Sequence, residues 1–188
     1  MKLHIIARRI GVATGALALG LGGYLGALQL TGNFHEVIAG KFYRSAQLSP
    51  DKLAAYIDRY GIKTVINLRG ESPQSEWYRR EVETIRAHNA GIVDFHMSAR
   101  RMLTIEQSRE LIALMRNAPG PILIHCSAGA DRTGLASVMY MQQIAGVDEE
   151  TAEWQLSPLY GHLNLPFLSV YAMDDTWESF EKAIGLDS

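Results

Sequence analysis

Blocks of apolar and polar positions predict that helices and strands alternate along the chain. The segment from 49 to 61 opens with Ser-Pro, a cap residue before a proline at the first helical position, and closes with glycine. It is therefore expected to be a helix. The apolar run from 62 to 68 predicts a buried strand, the charged amphipathic segment from 75 to 90 a helix, and the segment from 92 to 96 a second strand.

The second half of the chain continues this alternation. Its patterns predict a helix from 104 to 117, a strand from 122 to 125 and a helix from 133 to 145, followed by helices from 147 to 157 and from 166 to 184. Strands separated by helices in this way are typical of an α/β fold. We expect a three-layer sandwich with a mostly parallel central sheet.

The first thirty residues differ from the rest in their apolar character. Residues 10–30 carry no charge and include six glycines. As a helix they would extend about 31 Å, close to the ~30 Å thickness of a bilayer core. We therefore expect a transmembrane helix, with residues 1–30 as a membrane anchor and residues 31–188 as one domain. A cleaved signal peptide is the alternative, although no small-x-small cleavage site follows the run.

The basic residues of this first segment predict its orientation. Lys2, Arg8 and Arg9 precede the apolar run and would remain in the cytoplasm. The expected location is the inner membrane, with a single pass and the domain on the periplasmic side. Small residues recur every three or four positions in the run, which suggests a weak homodimer contact through the anchor.

The remainder of the chain is acidic. Residues 31–188 contain 15 basic and 20 acidic side chains, a net charge of −5. A nucleic-acid partner is not expected, because the domain has no excess of basic residues to bind a phosphate backbone. The chain has a single cysteine, Cys126, so no disulfide can form within it.

Cys126 lies in a segment whose residue types suit the binding and attack of a phosphate group. The segment reads His-Cys-Ser-Ala-Gly-Ala-Asp-Arg-Thr-Gly from 125 to 134, between a predicted strand and a predicted helix. Backbone N–H groups and the helix dipole at such a junction bind anions and favour a thiolate. Five residues separate Cys126 from Arg132, enough for the loop to surround one phosphate group, and Gly129 permits the turn.

The side chains of this segment have distinct expected roles. Cys126 is the nucleophile, and Arg132 holds two phosphate oxygens with its planar fork. Thr133 steadies the sulfur as a leaving group, and His125 orders the loop from behind. Transfer to sulfur and then to water requires neither metal nor cofactor. The backbone of the phosphate-binding loop comes from Ser127, Ala128, Gly129 and Ala130.

The His-Cys-x5-Arg-Thr-Gly pattern resembles the signature of the protein tyrosine and dual-specificity phosphatase superfamily. Together with Tyr-Arg-Ser-Ala-Gln at 43–47 and Asn-Leu-Arg-Gly at 67–70, it is similar to the bacterial branch of small dual-specificity-type phosphatases, over roughly residues 33 to 165. The resemblance implies a phosphoric monoester hydrolase that acts on phosphotyrosine, in a protein or a small phosphate ester, through a phosphocysteine intermediate. The catalytic residues carried over from the family are Cys126, Arg132, Asp131 and Thr133.

One departure from the family concerns the general acid. Relatives place an aspartate in the loop after the second predicted strand, but residues 97–103 contain no acid. The candidates are Asp131 next to the arginine, Asp94 in the strand and Glu106 on the following helix. Asp131 is preferred, because the motif itself fixes it beside the phosphate.

A second departure concerns the substrate. Relatives that act on highly phosphorylated inositol lipids often have lysines inside the loop, whereas Ser127 and Ala130 are neutral. A phosphatase of inositol phosphates or phosphoinositides, with Arg100 and Arg101 supplying charge, remains an alternative. A weakly active phosphate-binding module is another, since the usual acid is missing. The residues interpreted as structural are Asn67, Arg69 and the turn Tyr160-Gly161-His162.

Overall fold

The computed structural model describes residues 2–186, without the side chains of residues 2–10, 13, 17 and 18. Short 3-10 turns at Pro158–Tyr160 and Ser169–Tyr171 accompany the regular elements. In chain order these elements are α1 (Lys2–Thr31), β1 (His35–Ile38), β2 (Phe42–Ser45), α2 (Pro50–Tyr60), β3 (Thr64–Asn67), α3 (Glu76–Ala87), β4 (Gly91–Asp94), α4 (Ile105–Asn117), β5 (Ile122–His125), α5 (Asp131–Gln143), α6 (Glu149–Glu153) and α7 (Ala172–Ile184).

The five strands form one sheet in the order β1-β2-β5-β3-β4. β2, β5, β3 and β4 are parallel, as the sequence predicts, and β1 pairs antiparallel with β2 at the edge. In the centre of the sheet, His125 of β5 lies level with Ser45 of β2 and Asn67 of β3. The segment after His125 therefore emerges between the carboxyl ends of two neighbouring strands, the usual place for a ligand in such a sheet.

Helices cover both faces of the sheet. Alternate strand side chains point to opposite faces, so Ile66 and Ile124 pack with α4, α5, α6 and α7, whereas Val65 and Leu123 pack with α2 and α3. This arrangement gives the three layers expected from the sequence.

The helix ends follow the sequence signals in the first half of the domain. The Ser49 side chain accepts a hydrogen bond from the Lys52 amide, and Gly61 ends α2 with φ 63°. Two later helices are shorter than predicted. The helix expected from 147 to 157 is reduced to the five residues of α6. The helix expected from 166 to 184 begins only at Ala172, because an extended Leu168 (φ −88°, ψ 137°) and a 3-10 turn precede α7.

The expected membrane anchor is not borne out by α1. Within residues 2–186, no helix combines the length and the apolar character that crossing a membrane requires. The last turns of α1 pack on the domain instead: Leu28 is buried, and the Tyr24 hydroxyl donates to the Leu159 carbonyl at 2.6 Å. The transmembrane helix and the single-pass inner-membrane location with a periplasmic domain are therefore wrong predictions.

Two further expectations depended on that anchor. The weak homodimer contact presupposed a helix inside a membrane, so it has no remaining basis. The side chains of Lys2, Arg8 and Arg9, which determined the expected orientation, lie outside the described part of the chain. The division between residues 1–30 and 31–188 stays a prediction.

Candidate active site

The loop from 126 to 130 joins β5 to α5 in a tight turn. Cys126 is buried, with 2% of its surface exposed. Gly129 has φ +70°, and a Cβ atom there would lie 2.5 Å from the Ala46 amide nitrogen. Only glycine fits this position, because a side chain would be strained by the backbone angle and would clash with β2.

The first carbonyl groups of this loop are bound by donors outside it. The Gln47 amide donates to the Ser127 carbonyl at 3.1 Å. The side-chain amides of Gln29 and Asn33 both donate to the Ala128 carbonyl, also at 3.1 Å. The end of α1 and the segment after it thus contribute directly to the shape of the loop.

Arg44 of β2 holds the next two carbonyl groups from inside the protein. Its guanidinium donates to Gly129 O at 2.8 Å and to Ala130 O at 3.3 Å. It also donates to the backbone and side-chain oxygens of Gln155, both at 2.8 Å, and lies 4.0 Å from the centre of the Tyr160 ring. Burial lowers the pKa of Arg44 to about 10, which leaves it charged at neutral pH.

These contacts determine where the loop amides point. A planar trans peptide directs its C=O and N–H groups to opposite sides. The carbonyls of residues 127–130 are bound by donors that lie outside the loop, including the buried Arg44. We infer that the N–H groups of the same peptide units face the centre of the loop. Successive inward N–H groups at a helix N-terminus form an anion-binding cradle.

Arg132 stands in the first turn of α5 and reaches across the ends of two strands. Its Nη1 lies 3.4 Å from the Leu68 carbonyl and 3.3 Å from the Met97 carbonyl. Among the described residues, its buried Nε has no hydrogen-bond partner. The fork is thus held at one nitrogen while another remains available for a phosphate oxygen.

Asp131 takes part in a buried charge cluster. His162 is fully buried, and its two ring nitrogens lie 2.8 Å from Asp131 Oδ1 and 2.8 Å from Asp174 Oδ2. Burial lowers the pKa of His162, but hydrogen bonds and charges from the two aspartates outweigh burial and raise it to about 9. An imidazolium therefore links the start of α5 to the start of α7.

The other two candidates for the general acid are less well suited. Both oxygens of Asp94 are occupied: Oδ1 accepts from Asn67 at 2.7 Å and Oδ2 from the Tyr78 hydroxyl at 2.6 Å. Glu106 is exposed on α4, and its own amide together with Thr104 lowers its pKa.

His125 and Thr133 flank the cradle from behind. The Nε2 atom of His125 lies 2.9 Å from Glu81 Oε1, and both side chains are buried. Thr133 is fully buried, and its Oγ1 has no partner within the part of the chain that the structure describes.

Arg69 belongs to the surroundings of the nucleophile. Its guanidinium stacks on the Trp77 ring at 3.4 Å from the ring centre and donates to Gln47 Oε1 at 2.8 Å. Burial lowers its pKa, and the charges of Glu81, Arg132 and Cys126 also act on it. Arg69 therefore lies within electrostatic range of the reacting group, although its sequence context indicated a structural role.

The carboxylates that could bind a metal ion lie on α6 and α7. Among the described residues, Glu149, Glu153 and Glu181 place ligand atoms within 4.8 Å of one another. Glu153 accepts a hydrogen bond from the Trp177 indole at 2.9 Å. None of these three residues belongs to the loop from 126 to 130.

Comparison with known proteins agrees with this geometry. A model of the tyrosine phosphatase family matches residues 21–160. The chain belongs to this family. It is accordingly a cysteine-dependent phosphatase, a hydrolase of phosphoric monoesters. None of the curated proteins is significantly similar in sequence to it.

Solved structures share the fold of this phosphatase at low sequence identity. TpbA of P. aeruginosa is 20% identical, with a TM-score of 0.57 over 80% of this chain and 91% of that one. Tk-PTP is 13% identical, with a TM-score of 0.59 over 80% and 97% of the two chains. The core catalytic domain of SIW14, a PP-IP phosphatase from S. cerevisiae, is 18% identical, with a TM-score of 0.59 over 82% and 93%.

Several residues around the phosphatase site were missed from the sequence. His162 lies 31 positions after Asp131 and 12 before Asp174, so no local spacing relates the three residues. Glu81 is one of several acids on an amphipathic helix, and only its burial distinguishes it. Arg44 offered one signal, a charged residue in a strand that is otherwise apolar or small.

Proposed function

We propose that this phosphatase hydrolyses phosphotyrosine through a covalent phosphocysteine at Cys126. The Cys126 thiolate attacks phosphorus, the S–P bond forms as the bond to the tyrosine oxygen breaks, and water then cleaves the S–P bond to release phosphate. The observation that carries the proposal is the orientation of the loop, whose carbonyls are held from outside so that its N–H groups face one phosphate-sized centre.

In this mechanism Arg132 binds the transferred phosphoryl group. Its available Nε, together with the free edge of its fork, fits two oxygens of the group, and its charge offsets the negative charge of the transition state. Thr133 donates its otherwise unpartnered hydroxyl to sulfur when the phosphocysteine breaks down. His125 positions the nucleophile through its backbone and its contact with Glu81.

Asp131 is the proposed general acid. It lies beside Arg132, its side chain is 22% exposed, and His162 engages only Oδ1. The rival carboxylates are either bound at both oxygens, as in Asp94, or exposed on the surface of α4, as in Glu106. In this proposal the proton that reaches the leaving oxygen comes from the Asp131–His162 pair, in which a ring nitrogen of His162 lies 2.8 Å from Asp131 Oδ1.

A tyrosine phosphate in a protein or peptide is the substrate class that the site supports best. The segment from 126 to 132 contains no lysine and one arginine, Arg132, which suits a single phosphate group better than a polyphosphate. A solved complex of P. aeruginosa TpbA contains pTyr. The structural likeness to the PP-IP phosphatase SIW14 keeps inositol phosphates in the substrate panel.

Steady-state assays of the full chain with chelator present test this proposal. We expect hydrolysis of phosphotyrosine peptides and aryl phosphates, at higher kcat/KM than for phosphoserine peptides, phosphoinositides or inositol polyphosphates. Cys126→Ser should abolish turnover while phosphate still binds. Activity that survives this substitution, or that requires an added metal ion, would show that the mechanism is wrong.

A further inference from the structure

A pocket of about 290 Å³ opens between α3 and the segment that follows β2. Its walls include the apolar side chains of Leu48 and Leu53 and the indole of Trp77, with Gln47 and Glu81 among its polar lining. It shares no residue with the phosphate-binding loop. Two of its lining residues, however, contact that loop or the residue before it.

The first link to the loop is Gln47. Its backbone amide donates to the Ser127 carbonyl, and its side chain lies between Arg69 and Glu81, with contacts of 2.8 and 2.9 Å. The second link is the contact of 2.9 Å between Glu81 and His125, the residue before the nucleophile. A substrate whose phosphate occupies the loop would therefore pass close to this pocket.

Glu81 gives the pocket its chemical preference. Only 3% of its surface is exposed, and Oε1 already contacts Gln47 and His125. Among the described residues, Oε2 has no hydrogen-bond partner. A buried carboxylate oxygen without a donor is unfavourable, so a ligand that supplies a donor gains from filling the place, and a cationic donor gains most.

The walls suit a long side chain with a charged end. The methylene stems of lysine and arginine pack on apolar surface while their charge reaches a polar group, and Leu48 and Leu53 are both buried along the pocket. A second carboxylate, Glu76, stands at the entrance. Two cations lie near this lining. Arg80 is 64% exposed and lies 3.5 Å from Glu76, so solvent screens its repulsion. Arg69 stacks on Trp77 and donates to Gln47 Oε1 at 2.8 Å, and it makes no hydrogen bond to Glu81 Oε2 among the described residues.

We propose that this pocket binds a lysine or arginine side chain of the substrate, close in sequence to the phosphotyrosine. The proposal rests on the phosphotyrosine phosphatase activity proposed above. An acidic side chain at the same substrate position is rejected, because it would meet Glu81 in a site that already has an unpaired oxygen. The phosphatase thus recognises a positive charge near the phosphotyrosine in addition to the phosphate group.

The test is a panel of alanine-rich phosphotyrosine peptides carrying one lysine, norleucine or glutamate at each of three positions on either side of the phosphotyrosine. At one position we expect lysine to raise kcat/KM about tenfold over norleucine, the size of one charge-assisted hydrogen bond, and glutamate to lower it. Norleucine matches the lysine stem, so the ratio isolates the charge.

Variants assign this preference to the pocket. Each kcat/KM is divided by that for p-nitrophenyl phosphate, which has no flanking residue. Glu76→Lys should reduce the lysine preference at least threefold, and Glu81→Gln should bring it close to one. Glu83→Lys, the same charge reversal at another exposed glutamate of α3, should leave it unchanged.

The outcomes separate this proposal from the one on which it depends. If all peptides are hydrolysed within twofold of one another, or if Glu83→Lys and Glu76→Lys act alike, the pocket has no such role while the phosphotyrosine activity stands. If p-nitrophenyl phosphate is hydrolysed but no phosphotyrosine peptide is, both proposals are wrong. Should Glu81→Gln fail to fold, the comparison of Glu76→Lys with Glu83→Lys still decides.

Discussion

Two buried cations support the phosphate-binding loop from different sides, and their partners differ in kind. Arg44 hydrogen-bonds to neutral carbonyl and amide oxygens at 2.8 to 3.3 Å. His162 lies between two carboxylates, each at 2.8 Å. Neither side chain has measurable exposure to solvent.

The comparison shows how the intrinsic basicity of a group determines which partners it needs. Burial lowers the pKa of Arg44 to about 10, yet guanidinium starts high enough to remain charged with neutral partners. An imidazole buried in the same way would lose its proton. Two carboxylates reverse that effect for His162 and raise its pKa to about 9. The contacts of Arg44 therefore depend on the geometry of its hydrogen bonds, and the contacts of His162 depend on the charges of the two aspartates.

The largest expected effect separates the two aspartates that hold His162. Asp131→Asn should slow phosphotyrosine hydrolysis by about 100- to 10,000-fold, and p-nitrophenyl phosphate far less, because its leaving oxygen needs no proton. Asp174→Asn also removes a carboxylate from His162 but lies away from Arg132, so it should slow both substrates equally. Equal losses in Asp131→Asn would assign it a purely structural role.

If neither substitution is selective, the other carboxylates become the candidates. A selective loss in Asp94→Asn or Glu106→Gln would transfer the acid to that residue. The absence of any selective loss in the three variants would favour a weakly active phosphate-binding module. All rates are compared at pH 6.

Removing Arg44, the cation whose partners are neutral, should have the next largest effect, a loss of stability. Arg44→Met leaves the carbonyls of Gly129 and Gln155 buried without the donor that Arg44 supplies, and the Ala130 carbonyl keeps only the Gly134 amide. This should lower the free energy of unfolding by about 3 to 5 kcal/mol. Urea unfolding measures it. Arg59→Met, an exposed arginine on α2, is the control and should change stability by less than about 0.5 kcal/mol. A loss as small in Arg44→Met would contradict the role given to Arg44.

The position of His162 between two carboxylates predicts that the stability of the protein depends on pH. Because the pKa of His162 is raised in the folded state from 6.5 to about 9, its contribution is complete below about pH 6.5 and is lost as the pH rises through about 9. The size is on the order of 3 kcal/mol. Urea unfolding at pH 6, 8 and 10 should show this decline in the wild type and a flatter profile in His162→Gln.

A surface histidine offers the matched control. His88 lies 2.8 Å from Asp58, but both side chains are substantially exposed. His88→Gln should therefore change stability by no more than about 1 kcal/mol and leave the decline between pH 6.5 and 9 intact. An equal flattening in both variants would mean that the carboxylate clamp around His162 is not its source.

The smallest expected effect concerns one neutral acceptor. Gln155→Met removes the side-chain oxygen that Arg44 contacts at 2.8 Å, while the backbone oxygen of residue 155 remains. The loss in free energy of unfolding should be about 1 kcal/mol, as for one hydrogen bond. A loss equal to that of His162→Gln at pH 6 would remove the distinction between neutral and charged partners.

The elements that build the centre of the site were predictable from the sequence. β5 is a short apolar run after a proline, and the spacing of Cys126 and Arg132 fixes a loop between strand and helix. Local chemistry suffices in these places, because a cap, a glycine and a fixed spacing each act within a few residues. The ends of α2 and α4 were predictable for the same reason.

The supporting contacts were not predictable, because they join distant parts of the chain. β1 is short and only partly buried, so the edge hairpin had no apolar signature. The roles of Arg44 and His162 depend on partners brought close only by the complete fold. The apolar run from 10 to 30 was misassigned because counting uncharged residues does not reveal that Tyr24 and Leu28 contact the domain.

The span of the contacts around the loop has a consequence for folding kinetics. Arg44 and Gln155 are 111 positions apart, Gln29 and Ala128 are 99 apart, and Arg44 and Gly129 are 85 apart. Contacts between distant residues form late, since the chain must first lose the entropy of the long loops between them. Secondary structure should therefore return before catalysis during refolding, and a nascent chain would acquire its nucleophile long before it could bind phosphate.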